Sequence, residues 1–198
     1  MCIRDREYVW MDRFTIRNLE LFQSTNPNGV ALIDVLDKTL TAMGGRMLKH
    51  WLAFPERNLL KIEARLDVVD AFTKDDSIQD KMANHLREIV DIERIVAKIA
   101  TQKISPRALV QLGKSLDQIA EIKVDLLDHQ STKLKALSVG FLDAGEVTKL
   151  IKSTLKPEAP VLLGKGEVIA DGVNIELDEL RQLLNSGKEH LDLSLIHI

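Results

Sequence analysis

A single cysteine, Cys2, stands among 198 residues, so no disulfide can close within the chain and no paired-thiolate metal site can form. Cysteine poverty fits a reducing compartment, and a cytoplasmic location is expected. No apolar run approaches the ~20 residues needed to cross a bilayer, which argues against a membrane partner. Positive charge is not in excess: 27 Lys and Arg against 30 Asp and Glu leave a formal charge of −3. A broad phosphate-neutralising surface is therefore not expected here. Aromatic residues are sparse, at 4%.

The patterns that carry chemistry are missing as well. Gly164-Lys165-Gly166 lacks the Gly-x-x-x-x-Gly-Lys-Ser/Thr spacing that cradles phosphates, and it is only a fragment of a dinucleotide fingerprint. No serine sits in Gly-x-Ser-x-Gly. His50, His85, His129 and His190 have no partner at metal-ligand spacing and read as surface or packing residues. Carboxylate pairs such as Asp75-Asp76 and Asp178-Glu179 read as solvated helix ends. Lys98, Lys103 and Arg107 form a modest basic cluster, read as a solvated face.

What is present is helical periodicity, supported by 45% hydrophobic and 29% charged residues. After an extended Tyr8–Met11, Asp12 to Leu21 and Gly29 to Asp37 read as short helices, divided by a turn-rich loop. Thr41 suits an N-cap, Met47, Leu48, Trp51 and Leu52 recur at helical spacing, and Pro55 makes Phe54 the stop. Gly44 and Gly45 near this start are expected to let another segment approach closely. Asn58 caps a longer helix with the stripe Leu59, Ile62, Leu66, Val69 and Phe72. Met82, Leu86, Ile89 and Val90 continue in another, and Asp91 caps the next, with Ile92, Ile95, Val96 and Ile99 on its apolar face. Ser105-Pro106 is the clearest start signal, opening a helix over Leu109, Leu112, Leu116, Ile119, Ile122 and Leu126 to Asp128. Shorter helices are expected around Leu134–Phe141 and Val147–Leu155. A loop follows from Lys156 to Gly166, then a short strand at Val168–Ala170 and a turn at Asp171-Gly172. Glu176, Asp178 and Glu179 place negative charge at the start of a last helix. The fold class expected is mainly α: a multi-helix orthogonal or bundled domain with at most one or two short strands.

Met43-Gly44-Gly45-Arg46-Met47-Leu48-Lys49-His50-Trp51-Leu52-Ala53-Phe54-Pro55 resembles the small-Gly-x-Arg-x-Leu-x-x-Trp-Leu-x-x-Pro hallmark of the MutS family, DNA mismatch-recognition ATPases. Further stretches agree in order: Arg17–Leu21, Leu32–Asp37, Ile62–Val69 with Arg65 and Asp67, then Asp91-Ile92-Glu93-Arg94. Ser105-Pro106-Arg107-Ala108-Leu109, Val168–Gly172 and Glu176–Arg181 complete the series. The resemblance implies a core and lever region that couples a mismatch-binding domain to an ATPase domain without catalysis of its own. It further implies a homodimeric parent protein that clamps mismatched double-stranded DNA and uses ATP and Mg. The last helix is expected to lead toward a coiled-coil lever and clamp. The family's mismatch-reading Phe-x-Glu motif and its Walker motifs both read as missing from this chain, so no catalytic, cofactor-binding, metal or base-contacting residue is assigned. Structural or interdomain candidates are Gly44, Arg46, Leu48, Trp51, Pro55, Arg65, Asp67, Asp91, Glu93, Arg94, Ser105 and Pro106. For Arg46 and Trp51 two readings stand: an ion-paired arginine with a core tryptophan, or a place where the lever meets the ATPase domain. From a different class, a helical scaffold or adaptor binding a partner through an apolar helix face would explain the same periodicities.

The two ends form a further pattern. Met1–Arg6 can be encoded by a nucleotide string that is, over most of its length, the reverse complement of one encoding Leu193–Ile198. Residues 1–6 and 193–198 are therefore expected to be adapter-derived and non-native. The core and lever domain is expected over 7–175 and the start of the arm helix over 176–192. Setting those ends aside leaves 186 residues (198 − 12) and moves the charge from −3 to −4, since Arg4, Asp5 and Arg6 together contribute +1.

Overall fold

A computed structural model describes residues 8–196, with side chains described through residue 186. The expected non-native residues 1–6 lie outside the described residues, as do the side chains of 193–198. Ten α-helical segments follow one another in the described chain: α1 (Arg13–Asn18), α2 (Leu32–Leu36), α3 (Ala42–Ala53), α4 (Leu59–Thr73), α5 (Asp76–Glu88), α6 (Ile92–Ala100), α7 (Pro106–Asp128), α8 (Thr132–Ser138), α9 (Gly145–Thr154) and α10 (Ile175–Ile196). The mainly α class is borne out, and no β-strand is present among the described residues. The expected strand at 168–170 is reduced to one isolated bridge between Leu155 and Ile169; a second joins Tyr8 to Glu56.

The helix starts follow local chemistry. Thr41 Oγ1 accepts from Gly44 N–H at 3.0 Å, and Ser105 Oγ from Ala108 N–H at 3.3 Å, with Pro106 behind it. Asn58 Oδ1 accepts from Leu60 N–H at 3.0 Å, and Asp91 Oδ1 from Arg94 N–H at 3.3 Å. Each side chain satisfies an orphan donor of the first turn. Boundaries shift at the short helices. α1 ends at Asn18 rather than Leu21 because Glu20 adopts φ +49°. The Leu21 N–H then turns back to the Ile16 carbonyl at 3.3 Å. α2 begins at Leu32 rather than Gly29, where Leu32 and Ile33 donate to the Glu20 and Leu21 carbonyls.

α7 is the axis of the domain; α5, α6, α8 and α9 pack on it, while α4 lies on α5 and α8. The core joins Ile78 and Met82 of α5 and Ile89 just after it, Ile122 and Leu126 of α7, and Leu134 of α8. Val68, Ala71 and Phe72 of α4 pack against its edge, with Met43 of α3. This corrects several expected faces; on α6, Val96 and Ile99 are exposed and Ile95 alone is buried. Of the expected α4 stripe, Phe72 packs on the core and Ile62 is half-buried, but Leu59, Leu66 and Val69 are exposed, because α4 carries two apolar stripes and its neighbours take the one centred on Val68 and Ala71. On α9, Val147 and Leu150 are likewise exposed, and Thr148, Ile151 and Leu155 turn inward. There Gly113 of α7 brings the helices close: a Cβ on it would lie 3.2 Å from Ile151 Cγ2.

Candidate functional site

Four helices, α1, α2, α3 and α10, stand outside the seams around α7 described above. α3 buries no residue completely. α3 and α10 are each fastened by an arginine, and both arginines belong to the stretches singled out in the sequence.

On α3, Arg46 reaches the start of α6. Its Nη1 donates to Asp91 Oδ2 at 2.8 Å and its Nη2 to Asp91 Oδ1 at 2.7 Å, a bidentate pair. Its Nε donates to Glu93 Oε2 at 2.9 Å. Asp91 thus caps α6 while holding α3, and Arg94 Nε adds a contact at 3.3 Å. The Arg46 guanidinium, helped by the Arg94 N–H bond and opposed by desolvation, holds the Asp91 carboxyl at a pKa of about 2. Hydrogen bonds from Arg46 to Asp91 and Glu93 in turn push the Arg46 pKa above its already high value. One residue before Asp91, Val90 N–H donates to Ser115 Oγ of α7 at 3.1 Å, so the α5–α6 joint is tied on both sides. Ser115 is fully buried.

Of the two readings for Arg46 and Trp51, the ion-paired arginine is present but the core tryptophan is not. Trp51 is 41% exposed, and the Arg65 guanidinium carbon lies over its ring at 4.1 Å. The α3 helix is peripheral, so its tryptophan covers the α4 surface instead of entering the core. Leu48 is half-buried beside it. The Pro55 carbonyl accepts from Val9 N–H at 2.8 Å, pairing the N-terminal segment with the end of α3. Asp67 bonds Lys133 at 2.5 Å, linking α4 to α8. Ser105 and Pro106 open α7 apart from the other candidates. The close approach to Gly44 and Gly45 comes from the chain's own preceding loop, Asp37 to Thr41.

Glu56 was not among the expected candidates. Its side chain is only 4% exposed, and its carboxylate accepts from Arg57 N–H at 3.0 Å and Asn58 N–H at 3.1 Å. The Asn58 bond lowers its pKa against the opposing effect of desolvation. Phe54-Pro55-Glu56 does spell Phe-x-Glu, which corrects the expectation that the tripeptide is missing from this chain. Here the glutamate is spent on the α3–α4 turn and is not free to meet a base.

The second junction sits at the base of α10. Arg181 Nη1 donates to Asp171 Oδ1 at 3.1 Å and Asp178 Oδ1 at 3.2 Å, and Nη2 to the Ile169 carbonyl at 3.0 Å. Glu167 lies 3.6 Å from Nε. Lys156 pairs with Asp171 at 2.8 Å and also with Glu167. That lysine holds the Asp171 carboxyl below its ordinary range. Sequence reading placed charge here by resemblance but not Lys156, whose partners lie 11 and 15 residues away.

Among the described residues no cluster of His, Cys, Asp or Glu could hold a metal ion, and no helix is long and apolar enough to cross a membrane. The geometry defines a class: an all-helical domain built around one long axis, with outlying helices clasped by arginine–carboxylate networks. The comparisons supply the family. The family model described as MutS domain III matches residues 14–195, and the chain belongs to the MutS family. It is 47% identical over 190 residues to the DNA mismatch repair protein MutS of Christiangramia forsetii, covering 96% of this chain and 22% of that protein. Proteins of the same name from Flavobacterium psychrophilum and Bacteroides thetaiotaomicron are 46% and 38% identical, with the same coverage. The chain spans about a fifth (22%) of the length of these relatives.

Proposed function

We propose that this domain is the mechanical coupler of a DNA mismatch repair protein: helical core plus the start of a lever, joining a mismatch-binding part to an ATPase part. The match to MutS domain III over 182 of 198 residues (14 to 195) carries the reading. The two arginine junctions support it physically, since they fasten outlying helices to a close-packed body that shifts between discrete arrangements instead of deforming smoothly. The parent protein is a cytoplasmic homodimer acting on mismatched double-stranded DNA with ATP and Mg, and the domain itself does no chemistry.

Two measurements test this. The 198-residue chain should neither hydrolyse ATP above a buffer control nor favour mismatched over matched duplex; either activity overturns the reading. In the intact gene product, Arg46→Gln should weaken the stimulation of ATP turnover by mismatched DNA while leaving turnover without DNA in place. Unchanged stimulation would remove Arg46 from the coupling.

A further inference from the structure

α10 is joined to the body in an unusual way for a helix of 22 residues. Between Ile175 and Ser186 only Leu177, Asp178 and Arg181 are withdrawn from solvent, a single face of one turn; Ile175, Leu180, Leu183 and Leu184 are all exposed. Two of those three anchoring residues are charged. A helix held by an apolar seam is fixed in direction, because interdigitated side chains allow few crossing angles. A helix held by a fan of N–H donors is constrained differently. Arg181, 15% exposed, has acceptors on Asp171, Asp178, Ile169 and Glu167 between 3.0 and 3.6 Å, so one partner can be exchanged for another as the helix tilts.

The seat beneath the fan is firm. Lys156 N–H donates to the Val168 carbonyl and Ala170 N–H to the Thr154 carbonyl, both at 2.9 Å, pinning 167–171 to the end of α9. α9 in turn lies close on α7 at Gly113 and Ile151. Asp178 Oδ2 also accepts from Gly172 N–H at 2.7 Å, and Asn174 Oδ1 accepts from Leu177 N–H at 3.0 Å. These two bonds start the helix without involving Arg181.

We propose that Arg181 is an ionic pivot: with Glu167, Asp171, Asp178 and the Ile169 carbonyl it sets the direction in which α10 leaves the domain, while the helix itself forms independently of it. The proposal refines the coupling reading by naming the joint at which a lever would turn, and its test needs neither DNA nor ATP.

The test is a distance distribution between nitroxide labels at Lys114 on α7 and Ser186 on α10, both exposed, in the 198-residue chain carrying Cys2→Ser. The unaltered pivot should give a narrow distribution at low salt. Arg181→Gln should broaden and shift it, Arg181→Lys should do so partially, and salt at about 1 M, where screening acts over about 3 Å, should broaden the arginine form. Leu177→Ala should leave it narrow. A second pair at Glu176 and Ser186 reports the helix itself and should keep its distance in Arg181→Gln. An unchanged Lys114–Ser186 distribution in Arg181→Gln overturns the pivot, as does equal broadening by Leu177→Ala. Loss of the Glu176–Ser186 distance would make Arg181 a helix former and also end the proposal. The coupling reading fails separately, if α10 pivots as described but mismatch-stimulated ATP turnover in the intact protein does not depend on Arg181.

Discussion

The Arg46 guanidinium meets the Asp91 carboxylate edge to edge, with two N–H···O contacts at 2.8 and 2.7 Å joining α3 to the start of α6. Because Asp91 has a folded-state pKa of about 2 against an ordinary 3.8, its charge stabilises the native state at pH values above 3.8. That contribution declines as pH falls from 3.8 toward about 2, where the folded-state carboxyl also takes up a proton. Asp91→Asn keeps a capping oxygen but removes the charge. Urea unfolding of both forms across a pH series should show the variant less stable at neutral pH, with the two curves converging in acid. A difference that stays constant with pH would place the effect in packing, not in charge.

Ser115 is a buried hydroxyl in the middle of α7 whose oxygen accepts the Val90 N–H. Ser115→Ala leaves that donor without its described partner, a loss of roughly 1–3 kcal/mol. Ser115→Thr, which keeps the hydroxyl, separates this from a packing effect. If alanine is the milder of the two in chemical denaturation, the hydrogen bond is not what Ser115 contributes.

Gly113 sits on the face of α7 that meets Ile151. Gly113→Val should destabilise by about 1–3 kcal/mol through overpacking, despite lying inside a helix where glycine is a poor residue. Adding Ile151→Ala should recover part of the loss, and a double-mutant cycle measures that recovery. Strictly additive effects would show that the two side chains do not compete for the same space.

The core that α4 packs against and the exposed face of α4 make opposite predictions. Leu134 of α8 is fully buried, and Leu134→Ala should cost about 2–5 kcal/mol. Leu66 of α4 is exposed, and Leu66→Ala should stay within about 0.5 kcal/mol in thermal or chemical melts. A large loss at Leu66 would mean that the periodicity-based face of α4, not the observed one, meets the core.

Much of the framework is legible in the chain because helix starts depend on a few adjacent atoms. Thr41, Asn58, Asp91 and Ser105 all cap where their residue type and spacing predict. Periodicity is a weaker guide to burial. It finds the stripe at Leu59, Leu66 and Val69 but not that Val68 and Ala71 are the ones taken by neighbours, since that choice is made by α5 and α8. Resemblance pointed to Arg46, Asp91, Glu93 and Arg181, whereas Ser115, Gly113 and Glu56 carried no local signal. Their roles need a partner from distant sequence, or in the case of Glu56 a turn whose shape only the folded chain provides.

Residue order alone determined the helical class, the caps, the break at Pro55 and the long central α7, because these follow from hydrogen bonding and side-chain spacing within a few residues. Tertiary packing decided which faces are covered, why Trp51 lies on the surface, and how Arg46 and Arg181 find carboxylates on other segments. Close packing around α7 chooses among stripes that the chain offers equally, and ion pairs form only after that choice brings their partners within reach.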